Sequence, residues 1–152
     1  TYSHNYAVKY SSTEAFMEDF YKLNNYLEDI LGRTTDIMRF PGGSNNNVSK
    51  KYGGEKIMSE IQEHLKEVEP DMVYFDWNVD SGDANGKKLS PNDIANNVIN
   101  GTKKRNNAIV LMHDSKPKID TVKALDIITK ELKALNYSFE TLNHQVKPVQ
   151  FQ

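Results

Sequence analysis

A run of five apolar residues ends in an imidazole and a carboxylate. Residues 108–112 read AIVLM, which predicts a strand buried on both faces, and His113 and Asp114 follow at once. A carboxylate near a histidine stabilises the charged ring and raises its pKa, so the pair can deliver a proton near neutral pH. Because side chains alternate along a strand, Asp114 is expected to point away from His113, and the carboxylate partner is expected from a neighbouring strand.

A second apolar segment carries the candidate partners of His113. Residues 72–77 read MVYFDW and predict another buried strand, and the loop after it, NVDSGD, contains Asp80 and Asp83. Either carboxylate could cross over to the histidine from the adjacent strand. A plain turn would also account for this composition, since Asp, Asn, Ser and Gly are the residues that turns use.

A third predicted strand adds a guanidinium. Residues 36–40, DIMRF, carry Arg39 and run into the loop PGGSNNN, which is too rich in Gly and Asn for a helix or strand. In parallel α/β proteins, active sites form at the carboxyl ends of the strands. We therefore expect Arg39, the loop with Asp80 and Asp83, and His113 on one rim, and we interpret that rim as a functional site.

These residues need a framework of alternating helices and strands. Helices are predicted at about 12–31, from Ile57 to Val68, from Ser90 onwards and from Val122 to Leu135, and strands at 36–40, 72–77, 108–112 and, more weakly, 137–142. Continuous apolar strands alternating with helices are typical of a parallel sheet covered by helices. The predicted fold class is α/β, in one domain over residues 1–152, with residues 143–152 as a tail.

Composition excludes several classes of protein. The net charge of −2 gives no reason to expect a nucleic acid or an anionic membrane as partner. Cysteine is absent, so neither a disulfide framework nor thiol chemistry is available. No apolar run approaches the length that a membrane span needs.

Four short segments resemble the motifs of a known family. RFPGGS, WNVDSGD and IVLMHD, in this order and at these separations, resemble the third, fourth and fifth motifs of the polysaccharide deacetylases, carbohydrate esterase family 4. TYSHNY at the start resembles the end of the second motif, His-Ser/Thr-x-x-His, without its first histidine. The resemblance spans nearly the whole chain.

The resemblance implies a distorted (β/α) barrel and a hydrolase. Members of the family remove N-acetyl, sometimes O-acetyl, groups from sugar polymers such as peptidoglycan or chitin, with a divalent metal, usually zinc, held by one Asp and two His. By this resemblance His4 would be the second histidine ligand, His113 the general acid that protonates the departing amine, and Asp83 the carboxylate that orients it. The polymer substrate also implies a place outside the cell or at its envelope.

Further site residues are implied at the substrate groove. Arg39 would hold the catalytic-base carboxylate of the first motif, Leu111 would line the pocket for the acetyl methyl, and Pro41 is the proline of the third motif. Trp77 offers a face for sugar stacking, although a Trp at a strand end more often packs in a core. The chain has Gly42, Gly43 and Ala84 where the family often has aromatic residues, which opens the groove and weakens any transfer of substrate preference.

The first motif has no counterpart here. It is a strand ending in Thr-Phe-Asp-Asp that supplies the catalytic base and the metal-binding Asp, and like the first histidine of the second motif it would lie upstream of Thr1. A catalytic zinc site normally takes three protein ligands, so the chain by itself is expected to be inactive. A barrel without its leading strands would expose a sheet edge, which predicts a possible edge-paired dimer.

Two other readings remain open at this point. One is a non-catalytic carbohydrate-binding or structural module on the same fold. The other is a phosphate or nucleotide binder that uses PGGSNNN as its cradle, although the next periodic helix begins only around Glu55.

Overall fold

The chain forms two compact units. The computed structural model describes residues 1–151. The first unit comprises Thr1–Asp76 and the chain from Leu142 onwards, and the second unit comprises Trp77–Thr141. The assignment of residues 1–152 to one domain stays a prediction.

The first unit combines four helices with one parallel strand pair. Its elements are α1 (Tyr6–Lys9), α2 (Thr13–Leu31), β1 (Ile37–Met38), α3 (Lys50–Gly53), α4 (Ile57–Val68) and β2 (Val73–Tyr74). β1 pairs with β2 in parallel, with Ile37 opposite Val73. Because the intervening helices connect the two strands, the pair is the parallel strand–helix–strand arrangement that the sequence predicts.

The second unit has the same organisation on a smaller scale. Its elements are β3 (Val79–Asp80), α5 (Pro91–Thr102), β4 (Val110–Leu111) and α6 (Ile119–Ala134). β3 and β4 are parallel, and Asp80 lies opposite Leu111. Since the two strands run in the same direction, the residues that follow them leave the sheet at the same edge.

Local signals fix the helix boundaries. The Ser12 hydroxyl accepts the Ala15 backbone N–H at the start of α2, and Gly32 ends that helix with a φ of 68°. At α5, which begins at Pro91, Ser90 and Asp93 form a reciprocal capping box. The four helices predicted from periodicity are therefore present, within three residues of the predicted ends.

Each unit buries its own apolar core. In the first unit the core is aromatic and joins α2 to α4; its buried members include Tyr10, Phe16, Phe20, Phe40, Ile61 and Leu65. In the second unit α5 packs on α6 through aliphatic side chains, including Ile94, Val98, Ala124, Ile128 and Leu132. Burying one such side chain contributes about 1.5–3 kcal/mol, so these faces hold the helices against their strands.

The strand predicted at 137–142 is wrong. These residues pair with no strand among those described, and Phe139 and Leu142 are 49% and 41% exposed. Asn136, with a φ of 63°, ends α6, and the Tyr137 hydroxyl then donates to the backbone oxygens of Thr102 and Arg105, both at 3.1 Å. Alternating polarity gave the strand signal, but the backbone finds no partner strand here.

Two further differences concern loops. β3 lies inside NVDSGD, for which the sequence predicts a loop. The strand escapes prediction because only two residues pair and the segment has the composition of a turn. Residues 143–152 were expected to form a tail, yet the Asp76 backbone N–H donates to the Val149 oxygen at 2.7 Å and Gln150 Nε2 donates to the Tyr74 oxygen at 3.3 Å. The last described residues are thus bonded to the end of β2.

A lysine is buried among the aromatic residues of the first unit. Lys9 has no exposed surface, and its Nζ lies 4.9 Å from the ring centroid of Tyr6. The ammonium donates to Ser3 O at 3.1 Å and to Thr1 Oγ1 at 3.2 Å. Burial lowers the pKa of Lys9 to about 8, although the nearby Asp19 carboxylate opposes that shift.

This burial predicts a pH-dependent stability. Lysine in an unfolded chain has a pKa of about 10.4, so between about pH 8 and 10 the unfolded chain binds more protons than the folded chain. The cost of burying the ammonium is therefore fully present below pH 8 and is relieved as the pH rises. We expect the free energy of unfolding of wild type, relative to Lys9→Met, to rise across this window by at most about 1.4 kcal/mol per pH unit. Urea titrations from pH 7 to 9.5 measure this difference, and parallel pH profiles for the two proteins would contradict it.

Candidate active site

A histidine and a buried carboxylate meet at the edge of the second unit's strand pair. His113 Nδ1 lies 2.7 Å from Asp83 Oδ1, and the His113 backbone N–H donates to Asp83 Oδ2 at 2.8 Å. The Thr121 hydroxyl donates to the same Oδ2 at 2.9 Å. The side chain of Asp83 is 1% exposed and that of His113 is 32% exposed. A carboxylate that is enclosed and fully bonded thus holds a ring that solvent or a substrate can reach.

The strand pairing explains why these two residues meet. Asp83 follows β3 by three residues and His113 follows β4 by two, and the Ser81 backbone N–H donates to the Leu111 oxygen at 3.2 Å beyond the paired residues. Gly82, with a φ of 75°, then turns the chain. Because the strands are parallel and in register, the two segments leave the sheet side by side.

The structure chooses between the two carboxylates that the sequence left open. Asp80 is exposed, and its Oδ1 accepts the Gly82 backbone N–H at 2.7 Å, which is an Asx turn. Asp80 therefore shapes the turn, and Asp83 is the carboxylate beside His113. Asp114 is exposed, on the residue after the histidine.

Asp83 is held in its ionised form. Burial alone would raise the pKa of the Asp83 carboxyl, but hydrogen bonds from the His113 ring, the His113 backbone and Thr121 outweigh burial and lower the pKa below its ordinary value. An ionised carboxylate accepts a proton-bearing Nδ1, which leaves Nε2 as the ring nitrogen that can exchange a proton with another molecule.

Two neighbours of the pair carried no signal in the sequence. Thr121 lies in the first turn of α6 and Lys118 just before that helix, and the Lys118 ammonium donates to the Asp83 backbone oxygen. No sequence spacing links Lys118 or Thr121 to Asp83, because their contacts with it depend on how α6 packs. Thr121 differs from an ordinary helix threonine in being buried and in donating to Asp83.

The other two candidates in the second unit lie close to the strand ends. Leu111 closes β4 and is half-buried, and Trp77 stands two residues before β3 and is also half-buried. Partial exposure leaves part of each side chain accessible. Their assignments to the acetyl pocket and to sugar stacking stay predictions.

Arg39, Pro41 and His4 belong to the first unit. Arg39 directly follows β1 and is exposed, whereas Pro41 is buried and its backbone oxygen accepts the Tyr10 hydroxyl at 2.8 Å. The expectation that these residues share one rim with Asp83 and His113 stays a prediction.

A buried carboxylate at the end of the second predicted strand, Asp76, for which the sequence indicates no role, holds the loop after Arg39. Asp76 is 1% exposed; its Oδ1 accepts the Ser44 backbone N–H at 2.9 Å, and its Oδ2 accepts the Ser44 hydroxyl at 2.5 Å and the Phe151 backbone N–H at 2.8 Å. Gln62 Nε2 donates to the Ser44 oxygen at 2.9 Å. Asp76 thus accepts hydrogen bonds from both the backbone N–H and the hydroxyl of Ser44. Because neither donor is available to an anion, the loop gives no support to the hypothesis of a phosphate-binding cradle.

His4 is the one residue that the resemblance assigns to a metal. It is exposed, and its ring meets the edge of Tyr6 at a centroid distance of 5.7 Å. Within residues 1–151, no three His, Asp or Glu side chains gather into a group that could hold a metal ion. The described residues alone therefore do not fit a complete zinc site.

Comparisons with known proteins point to one group of enzymes. No protein-family model matches the chain. The candidate polysaccharide deacetylase YheN of Bacillus subtilis (strain 168) is 28% identical over 97% of this chain. The chain spans about half the length of that curated relative, 48%.

Three solved structures of enzymes from the same group match the chain. The catalytic domain of a peptidoglycan N-acetylglucosamine deacetylase from Eubacterium rectale matches 99% of this chain with a TM-score of 0.92 and 34% identity, and the match covers 66% of that domain. The polysaccharide deacetylase Bc1974 from Bacillus cereus matches 98% of the chain with a TM-score of 0.74 and 25% identity, over 68% of its own length. A carbohydrate esterase family 4 enzyme from Streptococcus mutans matches 90% with a TM-score of 0.69 and 26% identity, over 58% of its own length.

The chain is thus homologous to the polysaccharide deacetylases of carbohydrate esterase family 4, and the resemblance predicted from its motifs is confirmed. The predicted fold class, α/β with parallel strands as part of a distorted barrel, is confirmed by the match to the Eubacterium rectale domain. No helix within the described residues is both long and apolar enough to cross a membrane.

The Asp76 contacts predict a stability effect. Asp76→Asn places an amide N–H₂ opposite the Phe151 N–H or the Ser44 N–H, so that one buried donor loses its acceptor. We expect the free energy of unfolding to fall by about 1–3 kcal/mol. Asp71→Asn, at an exposed position of the same unit, is the matched control and should change stability by less than about 0.5 kcal/mol. Urea titration measures both, and equal stabilities for the two variants would contradict the prediction.

Proposed function

We propose that this chain is part of a metal-dependent hydrolase that removes N-acetyl groups from an acetylated amino-sugar polymer, either peptidoglycan or a chitin-like polysaccharide. The homology to polysaccharide deacetylases supports a hydrolase of this kind. The observation that carries the proposal is the contact between Asp83 and His113. Amide hydrolysis needs a donor that protonates the departing amine, and His113 stands in the motif to which the resemblance assigns that role.

The chemistry explains why the pair is needed. After water has added to the acetyl carbonyl, the bond between carbon and nitrogen breaks and its electron pair goes to the nitrogen. An amine leaves badly unless the nitrogen is protonated as that bond breaks. Nε2 of His113 supplies the proton, while ionised Asp83 accepts the Nδ1–H and balances the charge of the ring.

The remaining site residues take the parts that the resemblance implies. Arg39 holds the catalytic-base carboxylate, and Leu111 contacts the acetyl methyl. Pro41 and Trp77 contact the sugar. His4 would contribute one ligand to a divalent metal, which would be zinc.

Place of action and assembly follow from the same proposal. A polymer of the cell wall is reached from outside, so the protein acts extracellularly or at the cell envelope. An exposed sheet edge would allow two copies to pair through their backbones. Sedimentation of the purified chain at several concentrations tests the dimer.

Removal of the imidazole tests the proposed function. In the full-length protein, His113→Ala should lower the rate of acetate release from an N-acetylated amino-sugar oligomer by roughly 10²–10⁴-fold, because general acid catalysis is lost. His144→Ala is the matched control, since His144 Nε2 also contacts a carboxylate, Asp36 Oδ2, at 2.8 Å, but at the surface. It should retain wild-type rates.

Two results would contradict the proposal. Full activity of His113→Ala would show that another group delivers the proton. A wild-type protein that binds the oligomer but releases no acetate, with or without added zinc, would favour the non-catalytic carbohydrate-binding module.

A further inference from the structure

A small cavity adjoins the buried carboxylate of the second unit. It has a volume of about 120 Å³, and Asp83 forms part of its wall. The other walls come from the loop before α5 and from the segment that begins α6. Because Asp83 lines the cavity and also holds His113, whatever fills the cavity lies next to the carboxylate that positions the proposed proton donor.

The cavity has an excess of positive charge. Lys87, Lys88 and Lys118 line it, against the carboxylates of Asp83 and Asp120. Asp83 already accepts hydrogen bonds from His113 and Thr121, and Asp120 lies 3.7 Å from the ammonium of another lysine, outside the cavity. None of the three lining lysines forms an ion pair with any residue that the structure describes. All three lysines thus lack a carboxylate partner among the described residues, and the Lys118 ammonium donates to the backbone oxygen of Asp83 in the cavity wall.

The remaining walls and the volume limit what can bind. Leu89, Ile94 and Pro117 contribute apolar surface. A cavity of about 150 Å³ holds a benzene molecule, so 120 Å³ accommodates a group of only a few heavy atoms. Ammonium groups beside apolar walls suit a carboxylate attached to a short carbon chain better than a fully polar anion such as phosphate.

We propose that this lysine-lined cavity binds a small carboxylate. Two sources present the same chemistry: free acetate, and a carboxylate substituent on the sugar polymer. The link to acetate and to the polymer rests on the proposed function, whereas binding of a carboxylate to the cavity does not. A carboxylate on the polymer would make the site select substrates by charge, close to the bond that is cut.

A titration followed by ¹H–¹⁵N NMR tests the site on the chain itself. Sodium acetate, N-acetylmuramic acid, N-acetylglucosamine and inorganic phosphate are added separately at constant ionic strength. We expect saturable shifts, with the largest changes at the amides of 87–89 and 118–121, for acetate or for N-acetylmuramic acid. N-acetylglucosamine has no carboxylate and should cause none there.

Matched lysine variants complete the test. Lys87→Gln with Lys88→Gln should weaken binding at least about fivefold, because two ammonium groups are lost. Lys103→Gln with Lys104→Gln, two exposed lysines of the same unit outside the cavity, should leave the affinity unchanged. Tighter binding of N-acetylmuramic acid than of acetate identifies the polymer as the source, and the reverse identifies free acetate.

Several results would overturn the inference. The first is the absence of saturable shifts with acetate and with N-acetylmuramic acid. The second is binding of phosphate alone. The third is an equal loss of affinity in the variant at Lys87 and Lys88 and in the variant at Lys103 and Lys104. None of them bears on acetate release or on His113→Ala, so a failure here is distinguishable from a failure of the proposed function.

Discussion

The proposed chemistry depends on one carboxylate that is buried yet kept ionised. Burial penalises the charge of Asp83, and three hydrogen bonds, two from His113 and one from Thr121, more than compensate for that penalty. The same bonds fix the backbone and the ring of the histidine with respect to the carboxylate. The parallel register of β3 and β4 makes this arrangement possible, because it brings two separate loops to the same edge.

Two physical rules were enough to predict from the sequence that His113 meets a carboxylate of the neighbouring strand. A buried strand that ends in His113 and a neighbouring strand followed by two aspartates must, in a parallel sheet, leave at the same edge. Side-chain alternation excluded Asp114 as the partner. The choice between Asp80 and Asp83 depended on the turn at Gly82, and turn geometry does not follow from composition alone.

Other features could not be predicted for a common reason. Residues 137–142 alternate like a strand, but pairing requires a free neighbour, which periodicity does not report. Asp76 looked like an ordinary strand-end residue, and its importance depends on Ser44 and Phe151, which lie 32 and 75 positions away in the chain. Thr121 and the lysine-lined cavity likewise depend on where α6 packs. Contacts distant in sequence leave no local pattern.

The most direct test of the central interaction is the tautomer of His113, read from the ¹⁵N chemical shifts of its ring by NMR. If ionised Asp83 accepts a hydrogen bond from the ring, neutral His113 carries its proton on Nδ1. Asp83→Asn should then abolish the preference for that tautomer. A neutral ring protonated on Nε2 in the wild type, with shifts that Asp83→Asn leaves unchanged, would contradict the account.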